Sequence, residues 1–456
     1  MQKKYKPDLK KSLNEMINLW DLQQNNPQKK EEYSEYVKNM NSPAYLPWET
    51  VKYKPPFQNF SPEESFVLLT ISRIARGENT PISLPNGSKF EYEKLTRFDE
   101  FFYEFAREFA EKPSVTSVSK DSAEAIRKRL LRGIEEESIA SSQIEGANTT
   151  RKAAQQMIRE KRTPKTTGEK MISKNYEAIC LIESHLKNRK MSKELLREIQ
   201  EIITQGTLKD AQDSGRFRRD ADAICITNNI TGEVIFTPPP EAFLSAELEK
   251  LVAFANDEAP YNEFMSPVLK AIFLHFWIAY LHPFCDGNGR TARAIFYWYL
   301  LRRNFLNIGF LPISTEIKKT KTQYENAFLY TEHDENNLTY FIDYMVKILK
   351  RAVASYHEYI AEQEQKIQEK SALQEEFFEK NLNTRQVELI LFFQKHPSEK
   401  TDFYRHQKHQ NISLITARKD LLDLEEKGFL KSEKRGKKLV FAPLPHKNIL
   451  SLESQV

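Results

Sequence analysis

His282, Asp286, Arg290 and Arg293 fall within one short segment, HPFCDGNGRTAR, and their types and spacing suit a single chemistry. Pro283 disfavours helix at the residue before it, so the apolar stretch HFWIAYL is predicted to end as a helix near His282. Asp286-Gly287-Asn288-Gly289 then makes a sharp turn straight into the next helix. Two glycines let backbone N–H groups converge and let a ligand come close; such a turn at a helix N-terminus is an anion-binding nest. Arg290 and Arg293 are three apart, so they share a helix face beside it, and paired guanidiniums suit phosphate oxygens. Asp286 is the one carboxylate next to this positive pocket, where it would hold Mg²⁺ among phosphates. His282 stands at the pocket edge, where a neutral imidazole can take a proton from an attacking hydroxyl. From the residues alone this is a Mg²⁺–polyphosphate site with a general base. The chain has no GxxxxGK[ST], so the site is not a P-loop. The competing reading is a tight glycine turn between two core helices with exposed arginines. The joint spacing of His, Pro, Phe, Asp, two Gly, Asn and two Arg weighs against it.

HPFCDGNGRTAR resembles the Fic family motif HPFx[DE]GNGRxxR at every specified position. The likeness extends over about residues 45 to 350. GRFR at Gly215–Arg218 is similar to the family's segment before its flap. The hairpin from Ala221 to Thr237, with its trailing prolines, is similar to the flap, and HDENNLTYFIDY from His333 to the final core helix region. The resemblance implies a protein adenylyltransferase. His282 would deprotonate the target hydroxyl, which would attack the α-phosphorus of ATP and release pyrophosphate. Asp286 would coordinate Mg²⁺. Gly287, Asn288 and Gly289 would cradle phosphate oxygens. Arg290 and Arg293 would hold the β- and γ-phosphates, and Phe284 would pack beneath the loop. The flap would hold the target by adding a strand to its edge.

Upstream, Ser141-Ser142-Gln143-Ile144-Glu145-Gly146 matches the family's inhibitory motif [ST]xxxE[GN]. The resemblance implies that Glu145 pairs with Arg293 and takes the contact that the γ-phosphate needs, since carboxylate and phosphate compete for one guanidinium. The competing reading is a solvated helix face, with Glu135 to Glu137 nearby.

The elements that must position these residues are mostly helices. SPEESFVLLTISRIAR from Ser61 starts with a cap, a proline and two acids, and Gly77 and NTPISLPNGS are predicted to end it in a loop. Helices are predicted over TRFDEFFYEFAREFAEK, about Ser122–Gly146, from Thr150, Ile172–Leu186, Lys193–Ile203, Glu241–Asn256, Pro267–Leu281, Asn288–Arg303, and from Thr339 toward Gln365. ADAICIT and EVIFT are predicted as the two strands of a hairpin. From about Asn383 three short helices and a basic two-stranded hairpin suggest a winged helix-turn-helix. The expected fold is therefore mostly α: an N-terminal helical region (1–112), a Fic-type core (113–365) with its inhibitory helix (122–146) and β-hairpin flap (221–237), and a winged helix (383–446).

Composition agrees with a globular, multi-domain chain: 456 residues, 40% hydrophobic and 29% charged. The net charge of +4 is too small to indicate nucleic acid, so only local clustering could. Three scattered cysteines give neither a disulfide framework nor a metal-ligand spacing. The basic N-terminus lacks an apolar core and AIFLHFWIAYL is too short to span a bilayer, so a cytoplasmic protein is expected. His275 and His282, seven apart, lack a third ligand, and a core role is expected for His275. His406 and His409 are expected on an exposed helix face. The implied partners are ATP and a target protein, with self-modification and a homodimer left open. Arg418, Lys434 and Arg435 are candidate DNA contacts, although Asp420, Asp423, Glu425 and Glu426 argue against deep insertion of their helix. The alternatives are an enzyme of the same fold that removes AMP, and a DNA-binding regulator whose core senses nucleotide.

Overall fold

Helix signals in the sequence are met by helices almost wherever they occur, and strands are confined to three hairpins. The computed structural model describes residues 27–110, 123–227, 231–261, 263–435 and 438–444. The chain divides into two compact units, Met1–Tyr356 and His357–Val456.

The first unit opens with α1 (Pro27–Asn41), α2 (Trp48–Val51) and α3 (Pro62–Ala75), where Ser61 and Glu64 form a reciprocal cap. A hairpin follows, β1 (Gly77–Ser83) against β2 (Lys89–Glu93), where a loop was predicted. Pro81 and the Asn86-Gly87 turn masked it in the sequence, yet Phe90 and Tyr92 alternate inward and are buried. Next come α4 (Thr96–Phe109), α5 (Ala123–Ile144), α6 (Arg151–Arg159), α7 (Thr167–Ser184) and α8 (Lys193–Thr204). The second hairpin is shorter than predicted: β3 (Ile226–Thr227) pairs with β4 (Val234–Phe236), and the turn residues 228–230 lie outside the described residues. The start of the predicted strand is instead a 3-10 turn at Asp220–Asp222. There the Asp222 carboxylate accepts from the Arg219 backbone at 2.7 Å and pairs with Arg216 at 2.7 Å. The unit continues with α9 (Glu241–Ala255), α10 (Pro267–Leu281), α11 (Asn288–Arg302), α12 (Ile313–Lys319) and α13 (Lys321–His333). Then α14 (Thr339–Glu379) runs past the predicted Gln365, and the division between the units falls within it.

The apolar pair α10 and α11 forms the centre of the first unit. Both helices are buried on nearly every side, α10 because it is apolar nearly all round and α11 despite the polar residues of its first two turns. His275 is buried there, with Nε2 2.8 Å from the Tyr324 hydroxyl, as expected for a packed core histidine. Helix α5 packs on α7, α12 and the turn at Leu306–Phe310. Every residue from Gly133 to Ser142 is buried, so Glu135–Glu137 do not form a solvated face. Glu135 pairs with Arg159 at 3.1 Å and Glu136 with Arg151 at 2.5 Å. Glu137 accepts from the Ser314 backbone at 2.8 Å and the Tyr297 hydroxyl at 2.9 Å. These partners come from three other helices, which is why the local pattern concealed the burial.

In the second unit, α15 (Thr384–Lys395), α16 (Phe403–Gln410), α17 (Leu414–Glu426) and the antiparallel β5 (Leu430–Arg435) and β6 (Lys438–Pro443) follow in the predicted order. Leu389, Phe393, Leu421, Leu424 and Phe441 close a small core. His409 is exposed as expected, but His406 is buried. Its Nε2 lies 3.3 Å from the Asp420 carboxylate, which also takes Arg385 at 2.8 Å. Among the described residues no helix is long and apolar enough to cross a membrane.

Gly133 fixes where α5 lies. A Cβ there would stand 2.0 Å from the Gly309 carbonyl oxygen, a backbone atom that cannot swing away. Gly133→Ala is expected to destabilise the first unit by about 2–3 kcal/mol through overpacking. The measurement is the midpoint of thermal or urea unfolding, and a wild-type midpoint would mean that α5 can shift freely.

Candidate active site

The site is built where α10 ends and α11 begins. Leu281 is the last residue of α10, and His282 turns into the left-handed region (φ 46°), unusual for a residue with a side chain. Arg218 holds it there. Its Nε donates to the His282 carbonyl at 2.8 Å and its Nη2 to Leu281 at 3.1 Å and Pro239 at 2.6 Å. The Arg218 N–H donates to the Pro283 carbonyl at 2.9 Å, and Phe217 stacks on the buried Phe284. One tetrapeptide, GRFR, thus fastens the loop from below.

Gly287 caps α11 with φ 83°, and a Cβ on it would meet the Thr204 side chain at 2.5 Å. The Asn288 side chain is buried and ties the loop to itself: it accepts from the Phe284 N–H at 2.9 Å and donates to the Phe284 carbonyl at 2.7 Å. It is therefore through its backbone that Asn288 faces the nest. Gln200 donates to the Asp286 carbonyl at 3.0 Å and accepts from the Gly215 N–H at 2.8 Å, joining the loop to GRFR.

Both arginines are buried, not exposed. Arg290 Nη1 donates to the Ile203 carbonyl at 2.9 Å, and its Nε has no hydrogen-bond partner among the described residues. Arg293 donates from Nε to Ser141 Oγ at 2.8 Å and from Nη2 to the Ser141 carbonyl at 3.0 Å and to Glu145 Oε1 at 2.8 Å. Its Nη1 has no partner among the described residues and lies 3.3 Å from where a Gly289 Cβ would stand. The Glu145 carboxylate rests against Gly289: a Cβ there would fall 2.1 Å from Oε1. The structure thus brings together Ser141, Glu145, Arg290, Arg293 and the DGNG turn.

Electrostatics follow from burial. Desolvation pushes the His282 imidazole down to about 4, only partly countered by the Ala279 backbone and Glu145, so it is neutral at pH 7. Burial pushes the Glu145 carboxyl up, but Arg293, with Arg290 and His282 behind it, outweighs this and holds the acid below the usual carboxylate range. The pair is asymmetric: 1% of the Arg293 side chain is exposed against 35% of Glu145. Asp286 is exposed, with Oδ1 accepting from Gly287 N–H at 2.5 Å. Among the described residues no group of three or more His, Cys, Asp and Glu is arranged to hold a metal ion. A lone carboxylate beside phosphate-binding groups still suits Mg²⁺, which takes few protein ligands and keeps water and phosphate oxygens.

Gln200 and Arg218 were not assigned roles from the sequence. For Gln200 the signal was a polar residue on the apolar face of Leu196, Ile199 and Ile203. For Arg218 the sequence offers only its place in GRFR. Of the candidate DNA contacts, Arg418 and Lys434 are exposed in the second unit and Arg435 ends β5.

The site thus sets a helix N-terminus made of glycine backbone, two buried guanidiniums and a neutral histidine side by side in a helical domain. Residues 190–300 match the Fic/DOC family, and the chain carries a Fic domain. It is similar to the protein adenylyltransferase fic-1 of Caenorhabditis elegans, 34% identical over 80 residues that make up 18% of this chain and 15% of that protein. It is also similar to the protein adenylyltransferase Fic of Nematostella vectensis, 29% identical over 121 residues, 26% of this chain and 25% of that one. The chain thus spans a quarter or less of these relatives. The crystal structure of a Fic family protein from Desulfovibrio desulfuricans G20 shares the fold, with a TM-score of 0.52 at 16% identity over 78% of this chain and 98% of that one.

The burial of His282 can be read directly. In histidine-labelled protein its imidazole, assigned by its loss in His282→Ala, is expected to titrate near 4. Glu145→Gly should lower the midpoint further, because a carboxylate that favours the imidazolium is gone, whereas bound ATP should raise it. A midpoint at the ordinary histidine value of about 6.5 would refute the buried, neutral base.

Proposed function

We propose that this chain transfers the AMP part of Mg-ATP to a Ser, Thr or Tyr hydroxyl of a protein, and that Glu145 restrains the reaction. The observation that carries the proposal is the Arg293 guanidinium, held by Ser141 and Glu145 at 2.8 Å each while its Nη1 has no partner among the described residues. A buried cation at a glycine-built helix N-terminus is a receptor for phosphate oxygens, and a carboxylate on it is their competitor.

In this proposal ATP lays its phosphates on the α11 N-terminus, with Arg290 and Arg293 on the β- and γ-phosphates. Neutral His282 takes the proton of the incoming hydroxyl. That oxygen forms a bond to the α-phosphorus as the bond to the bridging oxygen of the β-phosphate breaks, and pyrophosphate departs. Mg²⁺, held by Asp286 and the phosphates, would neutralise charge on the leaving group. Rate comes from positioning and charge compensation, with one proton transfer. The exposed Ile226, Val234 and Ile235 of the β3–β4 hairpin offer a target segment an edge and apolar contacts.

The test uses α-labelled ATP with Mg²⁺ and follows label into the protein itself or a lysate. Glu145→Gly should raise incorporation about 10- to 100-fold, the worth of one charge-assisted hydrogen bond of about 1.5–3 kcal/mol. Adding His282→Ala should abolish it. If Glu145→Gly takes up no label from ATP, GTP or CTP, the proposal fails. If wild-type protein strips AMP from a modified target faster than Glu145→Gly does, removal replaces transfer.

A further inference from the structure

We propose that the C-terminal unit binds duplex DNA, with the N-terminal half of α17 in the major groove and the β5–β6 hairpin on flanking phosphates. The objection from the sequence was the acidity of α17, and the structure disposes of it. Asp420 is buried and takes Arg385 at 2.8 Å and Asn383 at 2.9 Å. Asp423 takes Gln386 and Lys427, each at 2.7 Å, and Glu425 accepts from the Ser432 N–H at 2.7 Å. These acids bind elements of their own unit. Glu426, the remaining one, is at the far end of the helix.

What faces outward from the first two turns is Leu414, Ile415, Arg418 and Lys419. Ile415 is 82% exposed, an unusual position for a β-branched apolar side chain in a unit this small. Two apolar residues and two cations at the start of an exposed helix match what base edges and phosphates offer: thymine methyl groups, guanine acceptors and backbone oxygens. In helix-turn-helix docking the same N-terminal residues of the inserted helix reach the bases. The groove that admits a helix is that of B-form DNA, since the major groove of A-form RNA is too narrow.

Charge is segregated to match. Residues 383–444 contain 13 Lys and Arg against 8 Asp and Glu, an excess of 5, whereas the whole unit from His357 to Val456 has 17 against 16 because the end of α14 is acidic. Lys431, Lys434 and Lys438 of the hairpin are exposed. Such a local excess, not the net charge of the chain, is what phosphate attraction needs.

The test uses the full chain and a fluorescein-labelled 24-base-pair duplex of random sequence, read by anisotropy from 50 to 200 mM KCl. Binding with a dissociation constant of about 1–100 µM at low salt is expected. The slope of log affinity against log salt should shrink by about 2 in Lys434→Ala/Lys438→Ala. Selection from a randomised duplex pool should enrich a motif that Arg418→Ala binds about tenfold more weakly, with circular dichroism showing each variant folded. The proposal is overturned by no anisotropy change with 100 µM protein at 50 mM KCl, or by a salt slope that the hairpin variant leaves unchanged. It is equally overturned if Ile415→Glu dissolves a dimer while DNA affinity stays as in wild type; the face would then be a contact between copies of this chain.

Discussion

Arg293 is a cation taken almost wholly out of water, and most of the first unit is arranged around that cost. An isolated buried guanidinium is untenable without hydrogen-bond acceptors, and the chain supplies them from a helix about 150 residues earlier in sequence. Helix α5 must therefore lie deep in the fold, and it does, with a ten-residue stretch buried on every side and three consecutive glutamates each matched to a partner. Charge burial in the helix is the consequence of charge burial in the site. Just past the end of α5, Glu145 is where the chain emerges to a partly open surface.

The opposite rim depends on backbone geometry. A left-handed histidine costs about 1 kcal/mol or more and persists only where its surroundings over-determine it. Arg218 and Gln200 do this by donating to carbonyls that the end of α10 and the turn would otherwise leave without partners. Buried amphiphilic side chains of this kind do no chemistry, yet the imidazole cannot stand at the head of α11 without them. The two halves of the site thus rest on separate supports: α5 for Arg293 and its carboxylate partner, GRFR and α8 for His282.

What was legible in the sequence was whatever rests on local constraint. The end of α10 at His282, the glycine turn and the start of α11 follow from Pro283 and the DGNG run, and α10 announces its burial by being apolar nearly all round. The long α5 was legible in the helical pattern, the pairing of Glu145 with Arg293 came from a motif, and the geometry has the two side chains in contact. What was hidden is tertiary. The β1–β2 hairpin was obscured by Pro81 and Asn86-Gly87, whose usual meaning is a loop. Glu135–Glu137 and Asp420 look solvated until their partners from other elements are seen. His406 was placed outside because charged neighbours surround it in sequence, whereas the fold turns it onto Asp420.

Gly289 has a consequence for genetics. The Glu145 carboxylate occupies the space that any side chain at position 289 would need. A substitution there must displace that carboxylate and crowd the first turn of α11 in one stroke. Under the proposed function, release of the restraint and damage to the phosphate cradle would then be inherited together from a single codon.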